Sequence, residues 1–292
     1  MHAGLSTPLD PRNGRGAPAP GAASTIAQQA MVNWRAARLE VAAASSCGLH
    51  RVANEDAHTP LGVAGPPFVV ADGVGGGALA GLVSRWLVAE LQVRLACAPE
   101  APLAAASIER AMLEADAALA RRIAEYTDAP GAATVALAAP LDARAARWIV
   151  AWVGDCRAYR WQPALRTLAS LTEDDTFRRW QETPPAGSSP DDPARMVGNG
   201  ATAGANVALQ ALDDGDLLVL CSDGVHRHVD AEGWSRVLAP EGDLRARCQA
   251  LVRAARANGS TDDATVLLVR PMRDEPAPRA RGPRARHGGF ST

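Results

Sequence analysis

Seven carboxylates stand at or beside the ends of apolar runs, and their placement is the first chemical feature of this chain. Asp72 follows PFVVA and precedes Gly73-Val74-Gly75-Gly76-Gly77. Asp155 follows WIVAWVG, Asp223 follows LLVLCS and precedes Gly224, and Asp262 and Asp263 stand just before ATVLLV. Glu55 and Asp56 follow the segment that starts with LEVAAASSC. A single Asp-Gly after a strand is ordinarily a turn, because both residues suit turn backbones. Repetition points elsewhere. If the strands lie side by side, the carboxylates meet at one edge, where like charges repel strongly. A cation must then neutralise them. The chain has no lysine, and Arg51 and Arg157 are the basic residues that stand out near these runs. Hard divalent ions suit an all-oxygen cluster, and no His or Cys spacing suggests zinc.

The glycines after Asp72 fit the same reading. Lacking Cβ, they let the backbone turn sharply and let the Gly73 carbonyl approach an ion. A phosphate loop is excluded because GxxxxGK[ST] needs a lysine, and the glycine run is out of register for GxGxxG. Five scattered cysteines, with no CxxC, argue against a zinc or disulfide framework and suit a reducing cytoplasm.

Around these residues the 292-residue chain is 47% hydrophobic and 21% charged, with a net charge of −2. That balance provides no broad cationic face for nucleic acid or an anionic membrane. Neither a signal-peptide core nor an apolar run of membrane-spanning length is expected. Residues 1–35, rich in Pro, Gly, Ala and Ser, are expected to be a flexible leader, and residues 271–292 a Pro/Arg-rich disordered tail. Between them, strands are expected at 39–47, 67–71, 133–138, 148–153, 157–161, 217–221 and 264–269. Helices are expected over 79–96, 103–125 and 243–257. Leu171 to Gly200 is polar and broken by four prolines, as a structureless functional segment would be. Clustered strands and paired helices favour a layered α+β sandwich over a doubly wound sheet.

Seven motifs in order then carry a family resemblance over Leu39 to Arg270. Arg51-Val52-Ala53-Asn54-Glu55-Asp56 resembles RxxNED, Asp72-Gly73-Val74-Gly75-Gly76 resembles DGxGG, and Gly131-Ala132-Ala133-Thr134 resembles a G-x-x-T segment. Val153-Gly154-Asp155-Cys156-Arg157-Ala158-Tyr159 resembles GDSRxY, and Leu171-Thr172-Glu173-Asp174-Asp175 resembles LTxDH. Gly215-Asp216 with Cys221-Ser222-Asp223-Gly224 resembles GD...SDG, and Asp262-Asp263-Ala264-Thr265 resembles DNxT. The chain thus resembles the compact bacterial form of the type 2C, metal-dependent protein serine/threonine phosphatases.

The resemblance implies a four-layer α-β-β-α sandwich around an antiparallel β-sandwich, spanning 36–270, with a mobile flap at about 171–200. It implies that Asp72 bridges two Mn2+ or Mg2+ ions, the Gly73 carbonyl on one of them and Asp223 and Asp262 on the other. Glu55 and Asp56 would act mainly through intervening waters, and Asp155 with Asp223 would contribute to a weaker third metal site. Arg51 would grip the substrate phosphate, making Arg51, Asp72 and Asp223 the catalytic set. Two such ions clamp and acidify a water and stabilise charge on the attacking and leaving oxygens. The implied partners are phosphorylated protein substrates and a serine/threonine kinase with its targets, in some relatives within type VI secretion. A cytoplasmic monomer binding neither nucleic acid nor membrane is the expectation.

Several positions depart from the family pattern. Val74 stands where many members carry His, which leaves His58 as a candidate leaving-group acid beside a plain packed histidine. Cys156 replaces serine, either as an isostere or as an oxidation-sensitive group. Asp263 replaces Asn and would add charge to the metal shell, and Asp175 stands where the flap motif has His. The alternative to an enzyme is a pseudophosphatase that binds phosphoproteins or a kinase; a further one is a hydrolase of small phosphoesters.

Overall fold

A computed structural model describes residues 25–75, 78–96, 103–200, 202 and 204–273. The glycines at 76 and 77, the leader up to residue 24 and the tail from residue 274 lie outside the described residues.

The strands, in chain order, are β1 (Thr25–Trp34), β2 (Ala37–Ser46), β3 (Asp56–His58), β4 (Phe68–Val74), β5 (Ala132–Pro140), β6 (Arg147–Val153), β7 (Arg157–Gln162), β8 (Thr167–Ser170), β9 (Asn206–Ala211), β10 (Leu217–Cys221) and β11 (Ala264–Arg273). The helices are α1 (Ala78–Arg94), α2 (Ala105–Tyr126), α3 (Phe177–Trp180), α4 (Asp223–His226), α5 (Ala231–Leu238) and α6 (Leu244–Ala257). One sheet runs β1-β2-β11-β10-β7-β8 and the other β3-β4-β5-β6-β9. Every pairing within them is antiparallel.

The central strands read as unbroken apolar runs because both their faces are covered. Side chains alternate across a strand. In the second sheet, Phe68 and Val70, Ala136 and Ala138, and Trp148 and Val150 face Leu39, Val41, Leu218, Leu220, Leu267 and Val269 of the first. The intervening residues Val69, Ala71, Val135, Leu137, Ile149 and Ala151 face the other way, onto Val83, Leu87 and Leu91 of α1 and Ile108, Met112 and Leu119 of α2. On the opposite side Ala42, Ala44, Val219, Val266 and Leu268 pack against Trp234 of α5 and Leu251 and Val252 of α6. The layers are therefore α-β-β-α, as expected.

Two boundaries differ from the sequence reading. Thr25–Trp34, expected to be part of a flexible leader, is instead the edge strand β1, paired along its whole length with β2. Its alternating polar pattern and Ala/Gln content hide it among leader-like residues. The final strand runs on to Arg273, so Pro271 belongs to β11 and pairs opposite Leu39. Nor is 171–200 structureless. It carries α3, whose N-cap Thr176 accepts from Arg179 N, and ion pairs join Arg178 to Asp191 and Arg195 to Glu182.

Candidate metal centre

The strand ends bring the predicted carboxylates to one place. In the β3–β4 ladder Asp56 sits directly opposite Asp72. β10 ends at Cys221, so Ser222 caps α4 and Asp223 opens it. The turn by which the chain crosses from β6 in one sheet to β7 in the other presents Asp155, and Asp262 precedes β11. A cleft of about 370 Å³ is lined by Asp72, Gly73, Asp155, Asp223 and Asp262 together with Arg51 and Arg227. Phe177, Pro185, Asp192 and Met196 of the 171–200 segment form another part of its wall.

Both Asp-Gly steps are demanded by packing. A Cβ on Gly73 would stand 2.2 Å from the Ala80 carbonyl oxygen of α1, and one on Gly224 would stand 1.9 Å from the Asp263 carbonyl oxygen. No side chain fits at either. The backbone after each ligand aspartate thus presses against a neighbouring element, and this fixes the carboxylates at the cleft floor.

Glu55 and Asp56 lie behind the cleft rather than on its wall. Asp56 Oδ2 accepts from Ser222 Oγ at 2.7 Å, and Ser222 Oγ in turn accepts from Thr265 N at 3.0 Å. Glu55 is paired with Arg51, Nη1 to Oε2 at 2.7 Å, while Arg51 Nη2 reaches Asp262 Oδ1 at 3.1 Å. Arg256 bonds the carbonyls of Ser46, Cys47 and Asp262, tying the end of β2 to the loop that carries Asp262.

The electrostatics of the cluster are those of anions lacking a sufficient cation. Burial pushes Asp72 well above the usual carboxylate range, and Asp56, Asp223, Asp155 and Asp262 each push it further. Asp56 is pushed up to about 8 by burial, against the stabilising bonds from Ser222 and Thr265. Asp155 is pushed up to about 7 by burial and by Asp223, with Arg227 opposing. Asp223 is raised by burial, with Arg227 pulling down and Asp262 pushing up.

The donor set fits hard divalent ions. It is all oxygen, it converges, and Asp56 Oδ1 and Asp223 Oδ1 are buried without a hydrogen-bond partner. Orphaned buried carboxylate oxygens are costly unless a cation or donor meets them. Among the described residues no three side chains stand already closed around a single ion position. Arginine explains part of this: Arg51 bridges Glu55 and Asp262, and Arg227 bridges Asp155 and Asp223.

The geometry bears on four of the sequence readings. Asp263 adds no charge to a metal shell. It is buried and turned away, with Oδ1 accepting from Gly48 N at 2.7 Å and Oδ2 from Glu55 N at 2.8 Å, so it clamps the β2–β3 connection. His58 lies outside the cleft wall with Nδ1 2.8 Å from the Thr59 carbonyl oxygen, and burial lowers its pKa, so it is a packed histidine. Cys156 is buried beside Thr134 Oγ1 at 3.3 Å, and burial, with Asp72 and Asp155, holds its thiol far up in pKa. That is the isostere reading, since the reactive form is the thiolate. Arg157 turns from the cluster to Asp174, bonding both its oxygens at 2.7 Å.

Sequence reasoning passed over Arg227, the second cation at the cleft. Its signal was present: four residues after Asp223, it falls on the same face of a helical turn. Asp175 was noted only as a departure. It is buried and accepts from Gly154 N at 3.1 Å, from Asn206 Nδ2 at 2.8 Å and from Arg179 at 2.7 Å, latching the 171–200 segment to the turn that carries Asp155.

Against known proteins, no family model and no curated sequence matches the chain. Solved structures do. The PPM Ser-Thr phosphatase MsPP from Mycobacterium smegmatis, in complex with cacodylate, is 23% identical, with 79% of this chain and 97% of that one covered at a TM-score of 0.64. The catalytic domain of the serine threonine protein phosphatase PstP, in complex with two manganese ions, is 24% identical over 80% and 98%, at 0.64. PppA, a key regulatory component of T6SS in Pseudomonas aeruginosa, is 24% identical over 83% and 100%, at 0.65. The fold is that of the PPM serine/threonine phosphatases.

Proposed function

We propose that this chain is a metal-dependent phosphatase that hydrolyses phosphoserine and phosphothreonine in proteins. The observation that carries the reading is the convergence of Asp72, Asp155, Asp223 and Asp262 on one cleft floor, with orphaned carboxylate oxygens beside it. The fold likeness and the seven motifs support it independently.

Asp72, Asp223 and Asp262, with the Gly73 carbonyl, would hold two Mn2+ or Mg2+ ions. Bound there, the ions supply an acidified water as nucleophile and charge stabilisation for the leaving oxygen. Asp56 and Ser222 set the floor beneath Asp72 and Asp223. Arg51 lines the cleft, and its guanidinium has five N–H donors in a planar fork suited to phosphoryl oxygens. Glu55 and Asp262 engage its two terminal nitrogens, which fixes where the fork points. Phe177, Pro185 and Met196 present apolar surface at the rim, as an extended peptide bearing the phosphoryl group would need.

The biological setting we infer is opposition to a serine/threonine kinase and its targets, with the likeness to the Pseudomonas regulator favouring a place in type VI secretion control. Four cysteines of the described residues are free thiols, which suits a reducing cytoplasm. None of the described helices is long and apolar enough to cross a membrane. We take the working unit to be a monomer.

A phosphothreonine peptide assay tests the enzyme reading against the binding-module alternative. The wild type should release phosphate with manganese. Asp223→Asn should lose at least a hundredfold of that rate, the order expected when a group that stabilises the transition state is removed. Tight phosphopeptide binding without turnover would select the pseudophosphatase instead. Preference for small phosphoesters over the peptide would select the metabolite hydrolase.

A further inference from the structure

The pair of carboxylates expected to hold a third ion already holds a cation. Helix α4 spans one turn, Asp223–His226, and Arg227 follows it with right-handed helical backbone, its N–H 3.0 Å from the Asp223 carbonyl oxygen. At four residues' separation Asp223 and Arg227 share a face, with the acid before the base, the order that favours pairing. Arg227 Nη2 stands 2.7 Å from Asp155 Oδ2, and its Nε stands 3.3 Å from Asp223 Oδ2. The preceding residue grips the same aspartate by its main chain: His226 Nε2 lies 2.9 Å from the Asp155 carbonyl oxygen, so that ring nitrogen carries the proton. Asp155, Asp223 and Arg227 all line the cleft.

We propose that the Arg227 guanidinium is a built-in counter-cation that takes the place of a third divalent ion between Asp155 and Asp223, so that the cleft binds two ions and not three. The inference rests on the two-ion reading above. Asp155 Oδ2 and Asp223 Oδ2 are committed to Arg227, whereas Asp223 Oδ1 is buried with no hydrogen-bond partner, which leaves it for an ion shared with Asp72 and Asp262. A tethered guanidinium competes at a fixed, high effective concentration and does not dilute away when free metal falls. It stays protonated at any physiological pH. A divalent ion entering between the two aspartates would have to displace it and would then repel it from a neighbouring position. One site that could vary with metal supply is thereby made permanent.

Manganese stoichiometry is the test, read by calorimetry and by electron paramagnetic resonance of free Mn2+ up to millimolar concentration. The wild type should take two ions per chain. Arg227→Ala should take a third, weaker one, and Arg227→Gln, neutral and similar in reach, should do the same if the alanine variant fails to fold. Adding Asp155→Asn to either variant should return the count to two. Three ions in the wild type would overturn the proposal, as would two ions in a folded Arg227 variant. A wild type that takes no manganese would defeat the two-ion reading itself, and this inference with it.

Discussion

Stripping the divalent ions should make this protein steeply pH-sensitive. In the metal-free fold Asp56 titrates at about 8 and Asp155 at about 7, because burial and neighbouring carboxylates disfavour their charged forms. In the unfolded chain both titrate near 3.9. A folded-state value raised above the unfolded one contributes stability below the unfolded pKa and loses it as pH rises through the folded pKa. Between about pH 5 and 7 the folded state therefore keeps roughly two protons that the unfolded state has released. Each costs ~1.4 kcal/mol of stability per pH unit, so the slope is about −3 kcal/mol per unit. For a domain of this size that corresponds to a fall in Tm of roughly 6–12 °C per unit. Asp72 and Asp223, raised in the same direction, steepen it. Manganese at millimolar concentration should keep the carboxylates ionised in the fold and flatten the slope. Thermal melts at pH 5, 6, 7 and 8, with chelator and with manganese, measure both. A chelated protein whose Tm is level or rises over that range would refute the reasoning, as would equal slopes in the two conditions.

The same cluster shows what a sequence does and does not reveal. Asp72, Asp223 and Asp262 were legible because each interrupts an apolar run at its end, and an apolar run followed by Asp-Gly is a local pattern. α1, α2 and α6 were legible from helical spacing, and the central strands from their continuity. β1 was hidden because an edge strand exposed on one face tolerates the polar TIAQQAMVNW. β3 spans three residues and β9 lies at a sheet edge, so neither carries a strong apolar signature. The roles of Asp263, Ser222 and Asp175 depend on which backbone N–H or carboxylate they meet across the fold. Asp263 bonds residues over 200 positions away, and no spacing in the chain announces that.

Further outcomes follow from single contacts. Gly73→Ala should cost at least ~1–3 kcal/mol, since its Cβ would drive into the Ala80 backbone, and a lower Tm with reduced manganese affinity would register it. Asp263→Ala should cost about 1–3 kcal/mol for each of the two N–H groups it strands, while Asp263→Asn, which keeps one acceptor, should cost less; chemical denaturation separates them. Asp175→Ala should unlatch the 171–200 segment, so limited proteolysis there should accelerate and KM for a phosphopeptide rise while manganese stoichiometry stays unchanged. Trp234→Ala, in the α5 layer away from the cleft, should lower stability by ~3–5 kcal/mol and leave manganese affinity unaltered in the folded protein.

The central claim is that the carboxylates of this cleft hold a pair of hard cations, and anomalous diffraction at the manganese edge from crystals grown with Mn2+ tests it most directly. Two strong peaks are expected, both within coordination distance of Asp72, with Gly73 O beside one and Asp223 and Asp262 beside the other. Peaks located only elsewhere on the surface, or a cleft without anomalous density at millimolar manganese, would contradict it.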